Sequence, residues 1–183
     1  MSYNLVAISG SFRKDSFNTN LLKAFKENAP EGMTIELLDY TDVPLYSQDD
    51  EAAFPAVVQA HKEKIQNADG IIISTPEYNR GIPGVLKNFI DYTSRPWGHN
   101  SWPGKHVLVT GASTGPIAAA LAQYALKQVL TYLDARVVGQ PEFYLGTAGE
   151  KFSADGTLTD EATKEYIVKA LAVLMARIDE TRA

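Results

Sequence analysis

The chain has 183 residues, 45% of them hydrophobic and 21% charged, with 17 Lys and Arg against 22 Asp and Glu for a net charge of −5. That length suits one domain with a real core, and I-V-L-rich runs alternate with polar ones without a break in composition, so residues 1–183 read as a single domain. The basic residues form no stripe, which argues against nucleic acid or an anionic membrane as partner. With no cysteine, disulfides, thiolate metal sites and thiol redox chemistry are excluded, and a reducing compartment fits. Met1-Ser2-Tyr3-Asn4 carries no basic leader pattern, and no apolar run approaches the roughly 20 residues of a membrane span. The expectation is a soluble, cytoplasmic protein.

Strand and helix signals alternate along the chain. The first strand is expected over Leu5 to Ser9, followed by a helix from about Asn18 to Asn28 with Leu21, Leu22 and Phe25 on one face. A second strand, Thr34 to Leu38, leads into a polar loop from Asp39 to Phe54. Pro55 opens a helix to Asn67. The third strand, Gly70 to Ser74, is a continuous apolar run of the kind found in parallel sheets. Pro83 opens a helix to about Tyr92, and the Pro- and Trp-rich stretch Ser94 to Gly104 is irregular. Val107 to Thr110 is a fourth strand, with a helix from about Ile117 to Leu133. A short fifth strand covers Arg136 to Val138, and Thr159 caps a last helix, Asp160 to Thr181.

Five strand–helix units with crossovers of this length imply a parallel sheet with right-handed connections and helices on both faces. The expected fold is a flavodoxin-like α/β sandwich, five strands in the order 2-1-3-4-5, whose ligand lies beyond the carboxyl ends of the strands. The loops after strands one, three and four should then carry unusual residues.

They do. The first runs Ser9-Gly10-Ser11-Phe12-Arg13-Lys14-Asp15-Ser16-Phe17-Asn18-Thr19-Asn20. Strand, hydroxyl-rich loop with cations, then helix N-terminus is an arrangement that holds a terminal phosphate, because the unpaired N–H groups and the helix dipole both point at the anion. Ser11, Ser16, Asn18 and Thr19 can donate, and Arg13 can form a bidentate, charge-assisted contact. An ordinary turn capped by Ser16 or Asn18 would use the same residue types. Neither a Walker A motif nor G-x-G-x-x-G follows the first strand, so a compact monophosphate such as that of FMN suits the loop better than a pyrophosphate. After the third strand, Pro76-Glu77-Tyr78-Asn79-Arg80-Gly81 offers backbone groups for the imide edge of an isoalloxazine ring, with Tyr78 and Asn79 near the ring and Glu77 accepting loop N–H groups. After the fourth, Gly111-Ala112-Ser113-Thr114-Gly115-Pro116 lets backbone approach a flat ligand.

Gly10, Ser11, Arg13, Ser16 and Asn18, with Pro76, Glu77, Tyr78 and Asn79 and the Leu86-Lys87-Asn88 and Pro141-Glu142-Phe143 segments, resemble the NADPH-dependent FMN reductase family of flavodoxin-like quinone, chromate and azo reductases. The resemblance implies FMN held by Ser11, Arg13, Ser16, Phe17 and Asn18 at the phosphate, by Pro76 to Asn79 at the ring, and by Ser113, Thr114 and Gly115 in the third loop. It also implies NADPH or NADH as donor, a quinone, azo compound, free flavin or metal oxyanion as acceptor, and a homodimer that often pairs into a homotetramer. Hydride chemistry belongs to the cofactor, so no catalytic acid–base triad is expected. His61 reads as a solvated helix residue, and three scattered histidines give no metal site. The competing reading is a flavodoxin-type electron carrier that needs no nicotinamide; Arg13 and Lys14 in the phosphate loop favour the enzyme.

Overall fold

Residues 2–182 are described by a computed structural model, and in it the alternation resolves into five helices around one parallel sheet. β1 (Tyr3–Ser9), β2 (Met33–Leu37), β3 (Gly70–Ser74), β4 (His106–Ala112) and β5 (Arg136–Val137) run in the order β2-β1-β3-β4-β5, the flavodoxin-like order expected. The helices are α1 (Phe17–Glu27), α2 (Ala56–Asn67), α3 (Gly84–Thr93), α4 (Ala120–Tyr132) and α5 (Glu161–Arg182). Successive strand residues point to opposite faces. Leu5, Ala7, Ile72 and Leu108 therefore meet Leu21, Phe25, Leu171 and Leu174 of α1 and α5. Val6, Ile8, Ile71, Ile73, Val107 and Val109 meet Ile65, Phe89, Ile90 and Leu126 of α2, α3 and α4. Because both faces are covered, β3 and β4 are buried throughout, which explains their lack of polar alternation.

The register pairs Ser9 with Ser74 and Ser74 with Thr110, so a row of hydroxyl residues crosses the carboxyl ends of β1, β3 and β4. The ligand loops leave the sheet from that row.

Four details differ from the sequence expectation. The sheet has a sixth strand, β6 (Phe143–Leu145), which pairs parallel with Thr110–Ala112 while β5 pairs with His106 and Val107. Two short strands thus share the edge beside β4, separated by a segment containing Pro141, which has no N–H for a ladder. Next, α4 begins at Ala120, three residues later than expected, because Ala118 and Ala119 are left-handed (φ 54° and 60°). Asp160, not Thr159, caps α5: its carboxylate accepts the Thr163 N–H at 2.9 Å, while Thr159 bonds to the Lys151 carbonyl. Finally, His61 is buried edge-on against Phe89, and its neighbour Lys62 turns inward to donate to the carbonyls of Arg95 and His99.

Candidate functional site

Asn18 holds the three loops together. Its side-chain oxygen accepts the Ser74 hydroxyl at 2.8 Å and the Ala112 N–H at 2.9 Å, and its amide nitrogen donates to the Ala112 carbonyl at 3.0 Å. One buried side chain in the first turn of α1 therefore pins the ends of β3 and β4. The sequence reading expects Asn18 at a phosphate; its side-chain oxygen is engaged by Ser74 and Ala112 and fastens the loops, while its backbone N–H has no partner among the described residues.

The first loop is shaped by short local bonds. The Gly10 N–H donates to the Ser74 carbonyl at 2.8 Å, and a Cβ on Gly10 would stand 3.1 Å from the Pro76 ring, so glycine lets the first and second loops approach closely. Ser11 accepts the Arg13 N–H, Ser9 and Thr19 share a hydrogen bond of 2.8 Å, and Asp15 is left-handed at φ 56°. Ser16 occupies the N-cap position of α1, yet its side chain makes no capping bond. The first N–H to find a helical acceptor is that of Asn20, on Ser16. The N–H groups of Phe17, Asn18 and Thr19 have no acceptor among the described residues. A buried serine that declines to cap its own helix, beside Arg13 and Lys14, provides the donor set of an anion cradle. Phe17 lies under the Arg13 guanidinium, 5.7 Å from it.

In the second loop, Tyr78 and Gly81 exchange both backbone hydrogen bonds (3.2 and 3.0 Å) across a two-residue turn. Asn79 and Arg80, the central pair, both have positive φ, 51° and 64°, as a primed hairpin turn demands. Asparagine tolerates the left-handed region, so Asn79 suits this turn position. Glu77 Oε2 accepts the N–H groups of Leu121 and Ala122 at 3.0 and 3.2 Å, while Oε1 meets Arg80 at 3.0 Å. It thus supplies the cap that Ala119 cannot give to α4. Tyr78 remains 50% exposed at the tip.

The third loop depends on the strand that the sequence reading missed. The Ser113 N–H donates to the Leu145 carbonyl at 3.0 Å and the Ala148 N–H to the Ser113 carbonyl at 2.9 Å, so β6 and the turn after it hold this loop. The Ser113 hydroxyl is engaged within the loop, on Gly115. Thr114 is exposed. Gly111 admits no side chain: a Cβ there would collide with the Thr75 carbonyl oxygen. The only signals for β6 were the strand-forming Phe143-Tyr144-Leu145 and its bounds, Pro141 and Gly146. Gln123, fully buried, also escaped notice; its amide donates to the Ala118 and Phe143 carbonyls and fixes the left-handed entry to α4.

Trp102 is fully buried and donates from its ring N–H to Thr93 at 3.0 Å. Trp97 is 79% exposed on the rim of a cavity of about 800 Å³ between the C-terminal halves of α3 and α4. Because these helices run antiparallel to the strands, that cavity lies toward the opposite end of the sheet from the three loops. Among the described residues no group of three or more His, Asp or Glu is placed to hold a metal, and no helix is long and apolar enough to cross a membrane.

The comparisons with known proteins agree with this architecture. The model of the NADPH-dependent FMN reductase family matches residues 3–150. A 2-hydroxy-1,4-benzoquinone reductase from a Burkholderia species is 42% identical over 167 residues, covering 91% of each chain. An NAD(P)H-dependent FMN reductase of Pseudomonas aeruginosa is 39% identical over 179 residues, covering 97% of this chain and 96% of its own. The solved structure of FerB, a flavoenzyme NAD(P)H:(acceptor) oxidoreductase from Paracoccus denitrificans, superposes with a TM-score of 0.90 at 38% identity, covering 97% of this chain and 98% of the other. With three loops joined through Asn18 and an open helix N-terminus between them, the chain belongs to the NADPH-dependent FMN reductase family.

Proposed function

We propose that the chain is an NAD(P)H-dependent oxidoreductase that holds FMN in the three loops and passes reducing equivalents to a quinone-like acceptor. The observation that carries the assignment of the site is the open first turn of α1, where Ser16 leaves the N–H groups of Phe17, Asn18 and Thr19 without a cap. When bound, FMN supplies the chemistry of accepting and releasing a hydride.

The chain's own residues bind and orient. Arg13, Ser11, Ser16 and the open N–H groups take the phosphate. Pro76 to Asn79 present backbone to the ring's polar edge, and Ser113 to Gly115 close the other side with small residues. Tyr78 gives an aromatic surface on which a nicotinamide and a flat acceptor can lie in turn. Asn18 and Glu77 are positioning residues, acting through the loops they fasten.

The chain is also proposed to form a homodimer. Leu121, Tyr124 and Tyr132 lie along α4 with 49%, 57% and 79% of their surface exposed, apolar and aromatic residues of the kind a partner surface uses.

Anaerobic titration of the FMN-reconstituted protein with NADPH and with NADH tests the function. Bleaching of the flavin band by either donor, and its return on adding a quinone, is the expected result. A bound flavin that only dithionite reduces would identify an electron carrier instead, and a protein that retains no flavin would refute the reading of the first loop.

A further inference from the structure

A cavity of about 280 Å³ opens between the loops that follow β1 and β2, with Ser11, Phe12, Arg13, Asp39, Tyr40 and Thr41 among its lining residues. It shares Ser11 to Arg13 with the phosphate loop but lies on the β2 side of β1. The proposed flavin ring lies on the other side, toward β3 and β4, so a mononucleotide leaves this cavity open.

We propose that the cavity takes the adenosine ribose of the nicotinamide donor, with Asp39 as a specificity-determining residue that accepts from the ribose hydroxyls and disfavours a 2′-phosphate. The inference rests on the FMN reading of the first loop. Asp39 stands just past β2, where the Leu38 N–H makes a last bond to the Ala7 carbonyl. One carboxylate oxygen accepts both the Thr41 N–H (3.2 Å) and the Thr41 hydroxyl (2.7 Å). The other has no partner among the described residues and is available to a diol. An acid at the end of the second strand is how other doubly wound folds read a ribose 2′-hydroxyl.

The rest of the wall suits the same ligand. Phe12, 45% exposed, stands edge-on to Tyr40 at 4.8 Å, and Tyr40 is fixed by its hydroxyl on the Ser9 carbonyl at 2.5 Å. That makes a firm aromatic surface for a base. The loops after β2 and β3 are two strand spacings apart, about 10 Å, a distance an extended dinucleotide can cross.

The charges around Asp39 oppose a second phosphate. The hydrogen bonds from Thr41 keep the carboxyl ionised by holding it below its ordinary value. Asp42 and Glu36 lie on the same edge; Lys64 is paired with Glu36 at 2.6 Å, and burial keeps the nearby His61 toward its neutral form. Arg13, the one cation lining the cavity, directs its guanidinium to the Asp15 carbonyl at 2.8 Å and over the Phe17 ring.

Calorimetric titration of the FMN-loaded protein with ADP-ribose and with 2′-phospho-ADP-ribose tests this without turnover. ADP-ribose should bind at least about tenfold more tightly, the scale set by one hydrogen bond to a charged group. Asp39→Asn should bring the two within about threefold of each other, Thr41→Val should fall between, and bound FMN should be retained in both. In turnover, Asp39→Asn should move the NADPH:NADH ratio of kcat/KM toward NADPH. Equal affinities in the unaltered protein, or an unchanged ratio in Asp39→Asn, would overturn the proposal. So would a protein that takes FAD and thereby loses ADP-ribose binding, because the cavity would then serve the flavin's own adenosine. Failure to bind any flavin would refute the reading of the first loop itself, a separate result from FMN retained with no discrimination.

Discussion

The carboxylate of Glu77, on the loop after β3, accepts the backbone N–H of Leu121, in the first turn of α4, at 3.0 Å. One residue thereby braces the loop after β3 and closes a helix whose own N-cap position is filled by a left-handed alanine. Glu77→Ala should remove that cap and cost about 1–2 kcal/mol, lowering Tm by about 2–8 °C for a chain of this size. Glu77→Gln, which keeps an acceptor but loses the charge at the dipole, should lie between. Thermal unfolding of the two variants beside the unaltered protein checks this; an unchanged Tm in Glu77→Ala would show that the cap does not stabilise α4.

Arg13 is exposed, and among the described residues its guanidinium meets the Asp15 carbonyl and the Phe17 ring, both local, so its removal should leave the fold intact. If it meets the flavin phosphate, Arg13→Ala should weaken FMN binding by about 10- to 100-fold, the range for a hydrogen bond to a charged group. Flavin fluorescence quenching gives the Kd, and circular dichroism confirms the fold. Unchanged affinity would remove Arg13 from the phosphate site.

How much of this was legible in the sequence follows from the range of each interaction. The parallel sheet could be read because Ile71-Ile72-Ile73 is an unbroken apolar run, the mark of a strand buried on both faces. The loops could be located because glycines, hydroxyls and Pro76 gather where strands end. The partnerships could not. Asn18 was legible as a polar residue at a helix start, but its bonds run 94 residues along the chain to Ala112, and a donor aimed at a ligand looks the same in sequence as one aimed at a distant carbonyl. Similarly, β6 has three residues, too few for a period to show, and His61 sat among Lys62, Glu63 and Lys64, whose charge suggested water while Lys62 itself turns inward.

Asn79 offers a way to separate backbone geometry from ligand contact. Its φ of 51° is one that glycine adopts freely and alanine resists. Asn79→Gly should retain FMN affinity close to that of the unaltered protein, while Asn79→Ala should strain the turn by about 1–2 kcal/mol and weaken FMN in proportion, up to about tenfold or somewhat more. If glycine weakens FMN as much as alanine does, the side chain contacts the ring and the turn is secondary. Dissociation constants for the two variants decide between these.

The buried histidines should make the fold less stable at mildly acid pH. Burial is the largest cause holding both His61 and His106 below the ordinary 6.5, and the Nδ1 of His61 has no hydrogen-bond partner among the described residues. Each native pKa is therefore lower than its unfolded counterpart, so the unfolded chain takes up protons first as pH falls. The stability they contribute is present above about pH 6.5 and is lost as pH drops from there through the native values, at up to about 1.4 kcal/mol per pH unit for each proton. Carboxylates such as Asp160, held below 3.8 chiefly by the Thr163 hydroxyl, lose their contribution only below about pH 4, outside that window. Chemical denaturation at pH 7.5 and pH 5 should show a clear fall in stability for the unaltered protein and a smaller one for the double variant His61→Gln, His106→Gln. An equal fall in both would mean that neither histidine stays neutral in the folded chain.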